Sequence, residues 1–250
     1  MHLDRLISVL EAVAVAGRPI AAADLHEATG LPRPTCYRLL QTLTESRLLE
    51  EEGGRYLLGE RLVRLALLGQ TDTDVRRAAS PAMKEAAVAF GEAVFLSRFR
   101  NRSVEIIHVE TPSDPVRSFM HPGLGIRPMH ACSCSKAIAA FAEDTFREEI
   151  LAGPMRPYTE HTKQQPDALR QEFATIRDQG YAQCVEEVEL GVSSVAAPVR
   201  VGNVGAIFSI GATGPVRRFT KSRRAEIGEE LIRLSGKVAA ALRLQGAAEA

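Results

Sequence analysis

Residues 22–58, AADLHEATGLPRPTCYRLLQTLTESRLLEEEGGRYLL, decide the fold of the N-terminal part of this chain. Apolar residues at helical spacing predict a short helix that ends at Gly30, a residue type that favours helix C-termini. A turn at Leu31-Pro32 leads to a second helix, predicted over residues 34–46, and a Gly53-Gly54 turn then joins two short strands. With an amphipathic helix ahead of it, this order predicts a winged helix-turn-helix.

The second helix of this motif is the element that would enter a major groove, which is about 12 Å wide. Residues 28–44 contain no acidic side chain, although the first 70 residues hold eight basic and nine acidic ones, net −1. The candidate DNA-contacting residues are Arg33, Pro34, Thr35, Tyr37 and Arg38 on this helix and Arg55 beside the predicted wing turn. Arginine can bind phosphates or guanine edges, and hydroxyls can bind either. The alternative is a small helical bundle that makes protein contacts only.

The overall composition is that of a globular protein with no bulk charge. The 250 residues include 31 basic and 31 acidic side chains, so the formal net charge is zero and charge-driven coating of nucleic acid or membranes is disfavoured. No run of 18 apolar residues and no signal-peptide pattern occurs, which predicts a cytoplasmic protein without a membrane partner. The four cysteines, Cys36, Cys132, Cys134 and Cys184, are therefore expected to be free thiols.

The remaining residues predict a mixed α/β domain with mainly antiparallel pairing. Helices are expected at residues 61–68, 74–90, 134–142, 144–151, 167–179 and from 220 to about 244. Strands are expected at residues 93–100, 104–110, 193–200 and 204–210, with a further one at 116–120 and a turn at Gly202-Asn203. The fold class is therefore α/β (α+β), with a helical module followed by a domain built on a sheet.

The chain resembles the IclR family of bacterial transcription regulators over nearly its full length. The matching motifs include Thr35-x-x-Arg38-Leu39-Leu40, Arg55-Tyr56-x-Leu58-Gly59, Lys136-Ala137, Gly180-Tyr181-Ala182, Glu186-Glu187 and Val195-Ala196-Ala197-Pro198-Val199. The resemblance implies a winged helix-turn-helix DNA-binding domain at residues 1–60, a linker helix at 61–73 and a GAF-like effector-binding domain with a curved sheet at 74–250. It also implies homodimers through the N-terminal domains, and often homotetramers.

The resemblance also implies where an effector would bind. The loop residues are Met129, His130, Ala131, Cys132 and Ser133, and the strand residues are Cys184, Glu187, Ser194 and Ser209. Many relatives carry Asp where Cys184 stands, so this pocket is expected to be less polar and to take a small organic acid, aromatic or otherwise rather apolar. Ala21 also replaces the usual Ser or Thr cap of the helix that ends at Gly30, and Pro34 replaces the Ser that usually precedes the recognition helix.

These observations predict an effector-responsive transcription regulator that is not an enzyme and needs no cofactor. A two-fold dimer presents two recognition helices to successive major grooves, so the predicted DNA partner is a palindromic double-stranded operator. The effector would change the relative orientation of the paired N-terminal domains through the linker helix.

The C-terminal residues are also compatible with two other functions. Cys132, Cys134, Cys184 and His130 could form a metal or redox sensor, although the C-x-C spacing is tighter than that of most zinc sites. Ser133-x-x-Lys136 matches the S-x-x-K motif of serine acylases, but the partner motifs S-D-N and K-T-G are missing. A hydrolase is therefore the weaker alternative.

Overall fold

A computed structural model describes residues 2–113, 120–201 and 205–248. Two compact units are present, one up to Gly69 and one from Gln70 onward. The strand predicted at residues 116–120 and the turn predicted at Gly202-Asn203 lie, wholly or nearly so, outside the described residues. None of the described helices combines the length and the apolar character that a bilayer crossing requires.

The N-terminal unit is a helical motif with a small three-stranded sheet. Its elements are α1 (His2–Ala16), β1 (Ile20–Ala21), α2 (Ala22–Thr29), α3 (Arg33–Glu45), β2 (Leu49–Glu52), β3 (Arg55–Leu58) and α4 (Glu60–Gly69). The sheet order is β1-β3-β2, with antiparallel pairs. Val9, Val13, Leu25, Leu39 and Leu40 form the centre of its core. The predicted winged helix-turn-helix is confirmed.

Local residue types explain the turns of this unit. Gly30 ends α2 in the left-handed conformation at φ 64°, which a side chain would disfavour. Ala21, as expected, provides no side-chain cap for α2. Pro34 lies in the first turn of α3, where its missing N–H is not needed. At the other end of the motif, the Glu50 carboxylate accepts a 2.9 Å hydrogen bond from the backbone N–H of Glu60 and so caps α4.

The second unit is built on a six-stranded sheet. Its elements are α5 (Asp72–Phe90), β4 (Ala93–Arg100), β5 (Ser103–Glu110), β6 (Gly125–Arg127), α6 (Ser133–Ala139), α7 (Asp144–Ala152), α8 (Pro166–Gln179), β7 (Ala182–Val185), β8 (Val192–Arg200), β9 (Ala206–Pro215) and α9 (Lys221–Ala248). The strand order is β6-β5-β4-β9-β8-β7, and every described pair is antiparallel. The predicted mixed fold with an antiparallel sheet is confirmed.

Both faces of this sheet are covered. Successive side chains of a strand point to opposite faces, and those of β9 and nearly all of those on β8 are buried. One face carries Phe95 and Ala196 and packs against α6 and α8. The ring of Phe95 lies over Gly211, which leaves no room there for a Cβ atom. This face, called here the α6 face, also carries most of the polar residues that the sequence singles out.

One helix and three short strands differ from expectation. The helix expected to link the domains at residues 61–73 is interrupted, because α4 ends at Gly69 and Thr71 caps a new helix. The Thr71 hydroxyl accepts a hydrogen bond from Asp74 N, and such a cap favours a helix start over continuation. The short strands β1, β6 and β7 were not predicted, since two to four residues carry too little periodicity to identify.

Candidate DNA-binding and effector-binding sites

Helix α3 has one buried and one exposed face. Cys36, Leu39, Leu40 and Leu43 are buried in the core of the N-terminal unit. The opposite face carries the residues predicted to contact DNA: Arg33, Pro34 and Arg38 are exposed, Tyr37 is 54% exposed, and Thr35 is half-buried. The apolar spacing that builds the core therefore also places these side chains in solvent, in the arrangement that groove binding requires.

Arg33 and Arg38 carry charge that the chain does not neutralise. Among the described residues, neither guanidinium has an ion-pair or hydrogen-bond partner. An exposed guanidinium keeps its donors for an external acceptor such as a phosphate oxygen or a guanine edge. This exposed α3 surface can therefore bind an anionic partner without first breaking an internal contact.

The wing is less favourable for DNA contact than the sequence suggested. Arg55 is exposed as predicted, but its guanidinium donates a 3.3 Å hydrogen bond to the Pro19 carbonyl on the edge of β1. Glu52 lies directly opposite Arg55 in the hairpin, and Glu51 precedes it; both carboxylates are exposed. The wing tip thus presents two acidic side chains beside one basic one, which opposes close approach to phosphates. Their positions in residues 50–52 were visible in the sequence.

Two hydroxyl pairs lie between α6 and the sheet, and they include three of the predicted effector residues. The hydroxyls of Ser133 and Ser194 are 2.7 Å apart, which joins α6 to β8. Ser209 on β9 lies 2.5 Å from the hydroxyl of Ser97 on β4 and donates to the Cys134 carbonyl at 3.4 Å. We call Ser97, Ser133, Ser194 and Ser209 the serine cluster. Ser97 was missed, because only the β4–β9 register places it opposite Ser209.

A buried ion-pair network adjoins this cluster. Lys136 is fully buried, and its Nζ lies 2.7 Å from the Glu187 carboxylate and 2.8 Å from that of Glu172. Lys163 Nζ lies 3.0 Å from Glu172 and 3.7 Å from Glu187. Of these four residues, Glu187 was predicted as an effector residue and Lys136 was named only for the hydrolase alternative. Glu172 and Lys163 were missed because they approach from other elements.

Burial and ion pairing shift the pKa values of this network in opposite directions. Burial by itself lowers the pKa of Lys136, but the carboxylates of Glu172 and Glu187 outweigh it and raise that pKa. Burial raises the pKa of Glu187 against the opposing effect of Lys136. Lys136 is consequently held as an ammonium group with two acceptors, so it has no free lone pair with which to activate Ser133. Among the described residues, the geometry therefore gives the hydrolase alternative no base beside Ser133, whose hydroxyl contacts Ser194.

The thiols near α6 form a pair and not a metal site. Cys132 and Cys134 have their sulfurs 3.4 Å apart. His130 points elsewhere: its Nε2 contacts the Arg156 carbonyl at 3.0 Å, and its ring stacks on Tyr158 at a centroid distance of 5.9 Å. In the part of the chain that the structure describes, no three His, Cys, Asp or Glu side chains are placed to share a metal ion. The metal-sensor alternative therefore lacks a ligand set.

Three other predicted effector residues, Cys184, Ala131 and Met129, are buried or pack against the core. Cys184 is buried, and burial raises its pKa to about 12. Ala131 is fully buried, and Met129 packs against the core of the α6 face. They can supply an apolar wall but no charge. The serine cluster is thus the polar part of the predicted effector site, surrounded by apolar and thiol groups.

A cleft of about 650 Å³ runs along α8 and the outer strand β7. Most of its lining residues are polar in type, and they include His161, Lys163, Gln171, Glu172 and Glu187. Glu187 is one of the predicted effector residues. The cleft could admit a small polar molecule, and its Glu172 and Glu187 side chains connect it to Lys136 beneath the start of α6.

Two family descriptions match almost the whole chain. The IclR helix-turn-helix domain matches residues 2–53, and the bacterial transcriptional regulator IclR C-terminal domain matches residues 69–240. Both regions coincide with elements described above, namely the motif around α3 and the sheet with α6.

Sequence relatives and solved structures agree with these family matches. The chain is 29% identical over 235 residues to the glycerol operon regulatory protein of Streptomyces coelicolor, covering 92% of this chain and 90% of the relative. It is 30% identical over 221 residues to that of Streptomyces griseus, covering 86% and 85%. A crystal structure of an IclR homolog complexed with 4-hydroxybenzoate, from Microbacterium hydrocarbonoxydans, is 25% identical with a TM-score of 0.61 and covers 98% of this chain and 100% of its own. This chain therefore belongs to the IclR family of bacterial transcriptional regulators, with a helix-turn-helix DNA-binding domain and a C-terminal ligand-binding domain.

Proposed function

We propose that this regulator senses a small organic acid, preferentially an aromatic one, at the serine cluster. The carrying observation is the presence of two buried hydroxyl pairs, Ser133–Ser194 and Ser97–Ser209, where α6 meets the sheet, among thiols and apolar side chains. Each hydroxyl can turn its proton from a neighbouring hydroxyl to a carboxylate oxygen. An acid would thereby replace hydrogen bonds between neutral hydroxyls by charge-assisted ones, which are stronger.

The nature of the walls supports an apolar acid. Cys184, Ala131 and Met129 provide no charge, while Phe95 provides an aromatic surface on the same sheet face. The structural relative from Microbacterium is described as bound to 4-hydroxybenzoate, which is an aromatic acid of this class. The two Streptomyces relatives are named for a glycerol operon, so a polyol is the competing ligand class.

On the DNA side, we propose that α3 enters the major groove of a palindromic operator. Arg33 and Arg38 would contact phosphates or guanine edges, with Thr35 and Tyr37 as neighbouring contacts. Arg55 would make a weaker contact from the wing, because Glu51 and Glu52 lie beside it. A homodimer would present two such helices, and a homotetramer would present four.

The proposed response couples the two ends of a cytoplasmic chain. The division into a DNA-binding domain at residues 1–60, a linker at 61–73 and an effector domain at 74–250 remains our proposal for this coupling. Effector binding would favour one arrangement of paired N-terminal domains over another, by the difference in its affinity for the two. The interruption between Gly69 and Thr71 is a natural place for such a change of direction.

The test begins with selection of an operator from random double-stranded DNA by the purified chain. 4-Hydroxybenzoate and glycerol are then titrated against the protein–operator complex and against the protein alone in a thermal-shift assay. We expect 4-hydroxybenzoate, and not glycerol, to raise the melting temperature and to change operator affinity. Loss of both responses in Ser194→Ala and Ser209→Ala would support the site; a response to glycerol alone would overturn the proposed ligand class.

A further inference from the structure

We propose that Cys132 and Cys134 are a reversible redox pair that hydrogen peroxide closes into an intramolecular disulfide. The two sulfurs are already 3.4 Å apart and flank Ser133 in the chain. A disulfide bond is about 2.05 Å long, so closure needs an approach of about 1.4 Å. Cys132 precedes α6 in extended conformation at φ −81° and ψ 138°, whereas Cys134 lies within the helix; this change of direction brings their side chains together.

Exposure distinguishes this pair from the other thiols. Cys36, Cys134 and Cys184 are buried, while Cys132 is half-buried. Cys132 is therefore the more accessible residue of the pair. Cys36 lies in the core of the N-terminal unit without a second thiol in its core cluster. The four thiols thus differ in both access and proximity to a partner.

The electrostatics of the pair agree with this geometry. Burial raises the pKa of the Cys134 thiol, but a hydrogen bond from Cys132 and further polar contacts outweigh burial and lower it. The same hydrogen bond raises the pKa of Cys132. Burial also raises the pKa of Cys184, to about 12. The contact between the two sulfurs thus favours the thiolate form of one member of this pair, and thiolates, not thiols, attack peroxides.

The reaction balances with one peroxide molecule. One sulfur of the pair attacks one peroxide oxygen, the O–O bond breaks, and a sulfenic acid and one water are formed. The other sulfur then attacks the oxidised sulfur, the S–S bond forms, and the sulfenic oxygen leaves as a second water. Two thiols lose two electrons and two protons, and the peroxide is reduced to two waters. Dithiothreitol restores both thiols by exchange.

Closure would act on the ligand site directly, a consequence that rests on the proposed function. Ser133 lies between the two cysteines, and its hydroxyl holds Ser194 at 2.7 Å. The Cys134 carbonyl accepts from Ser209. A disulfide that restrains residues 132–134 therefore restrains two hydroxyl contacts of the serine cluster. We expect the oxidised chain to bind 4-hydroxybenzoate at least tenfold more weakly than the reduced chain.

Intact-protein and peptide mass spectrometry after treatment with a slight excess of hydrogen peroxide tests the disulfide. Because no Lys or Arg separates the two cysteines, one tryptic peptide ending at Lys136 holds both. That peptide should lose the mass of two hydrogen atoms and regain it with dithiothreitol. Cys132→Ser, at a half-buried position, should abolish the loss, as should Cys134→Ser, while Cys36→Ala should retain it. A link to Cys184, a link between two chains, or sulfonic acid without a disulfide would overturn the proposal.

A second measurement separates the disulfide from its consequence. The affinity for 4-hydroxybenzoate is compared between reduced, oxidised and re-reduced full-length protein. Equal affinity of the reduced and oxidised forms would overturn the regulatory role. A reduced protein that binds no acid would overturn the proposed function instead, while the mass data would still decide whether the disulfide forms.

Discussion

The exposed face of α3 and the α6 face of the sheet both carry several polar side chains. The two faces differ in whether those side chains are exposed and unpaired or buried and hydrogen-bonded. Arg33 and Arg38 are exposed and have no partner among the described residues, so any binding partner adds contacts. Lys136 and the serine cluster are buried and already paired, so any ligand must compete with internal bonds. The first surface is suited to a large anionic partner, and the second to a small molecule that can replace a few internal contacts.

The largest effect should come from the buried ion pairs. Lys136→Met removes the buried cation between Glu187 and Glu172 and leaves them only the partly exposed Lys163, and we expect the free energy of unfolding to fall by about 3–5 kcal/mol. Urea denaturation followed by circular dichroism measures it. The matched control is Lys163→Met, whose side chain is 40% exposed and which should change stability by less than about 1 kcal/mol. Equal effects of the two variants would contradict the contrast between buried and exposed pairing.

The exposed face should show the reverse pattern, with binding affected and stability unchanged. Arg38→Ala should weaken binding to the selected operator by about 1–3 kcal/mol if Arg38 contacts a base, with little effect on unfolding. Fluorescence anisotropy at fixed salt concentration measures the change. Lys221→Ala removes an exposed cation outside the helix-turn-helix and serves as control. Unchanged operator affinity in Arg38→Ala would remove this residue from the interface.

A smaller effect is expected within the serine cluster. Ser133→Ala removes one hydroxyl of the pair with Ser194 and should destabilise the chain by about 1 kcal/mol. The double variant with Ser194→Ala should lose less than the sum of the two single variants, because both remove the same hydrogen bond. Denaturation of all four members of the cycle gives the coupling energy. Strict additivity would mean that the two hydroxyls do not depend on each other.

The smallest effect should come from the wing. Replacing Glu51 and Glu52 by Gln removes exposed negative charge beside Arg55, and operator affinity should rise by a few fold at low salt. The gain should shrink as salt concentration increases. Glu189→Gln, an exposed change in the other unit, is the control. A gain that does not depend on salt would argue against a charge effect.

Much of the fold was accessible from local pattern. The helix predicted at residues 34–46 is found at Arg33–Glu45, and the strand predicted at 93–100 is found at Ala93–Arg100. Such elements are long, periodic and bounded by Gly, Pro or turn residues, so their ends are encoded nearby. The short strands β6 and β7 escaped detection because their pairing partners, and not their own residues, define them.

The site residues also fall into those that local sequence predicts and those that depend on tertiary contacts. Residues 22–58 by themselves determined that Arg33 and Arg38 would be exposed on α3, because helical periodicity assigns each position to the core or to solvent. Only the tertiary structure decided that Ser97 lies against Ser209 and that Glu172 joins Glu187 around Lys136. These contacts depend on strand register and on helices far apart in the chain. Local spacing constrains neither, since it acts over one or two turns, whereas packing brings together residues more than 30 positions apart.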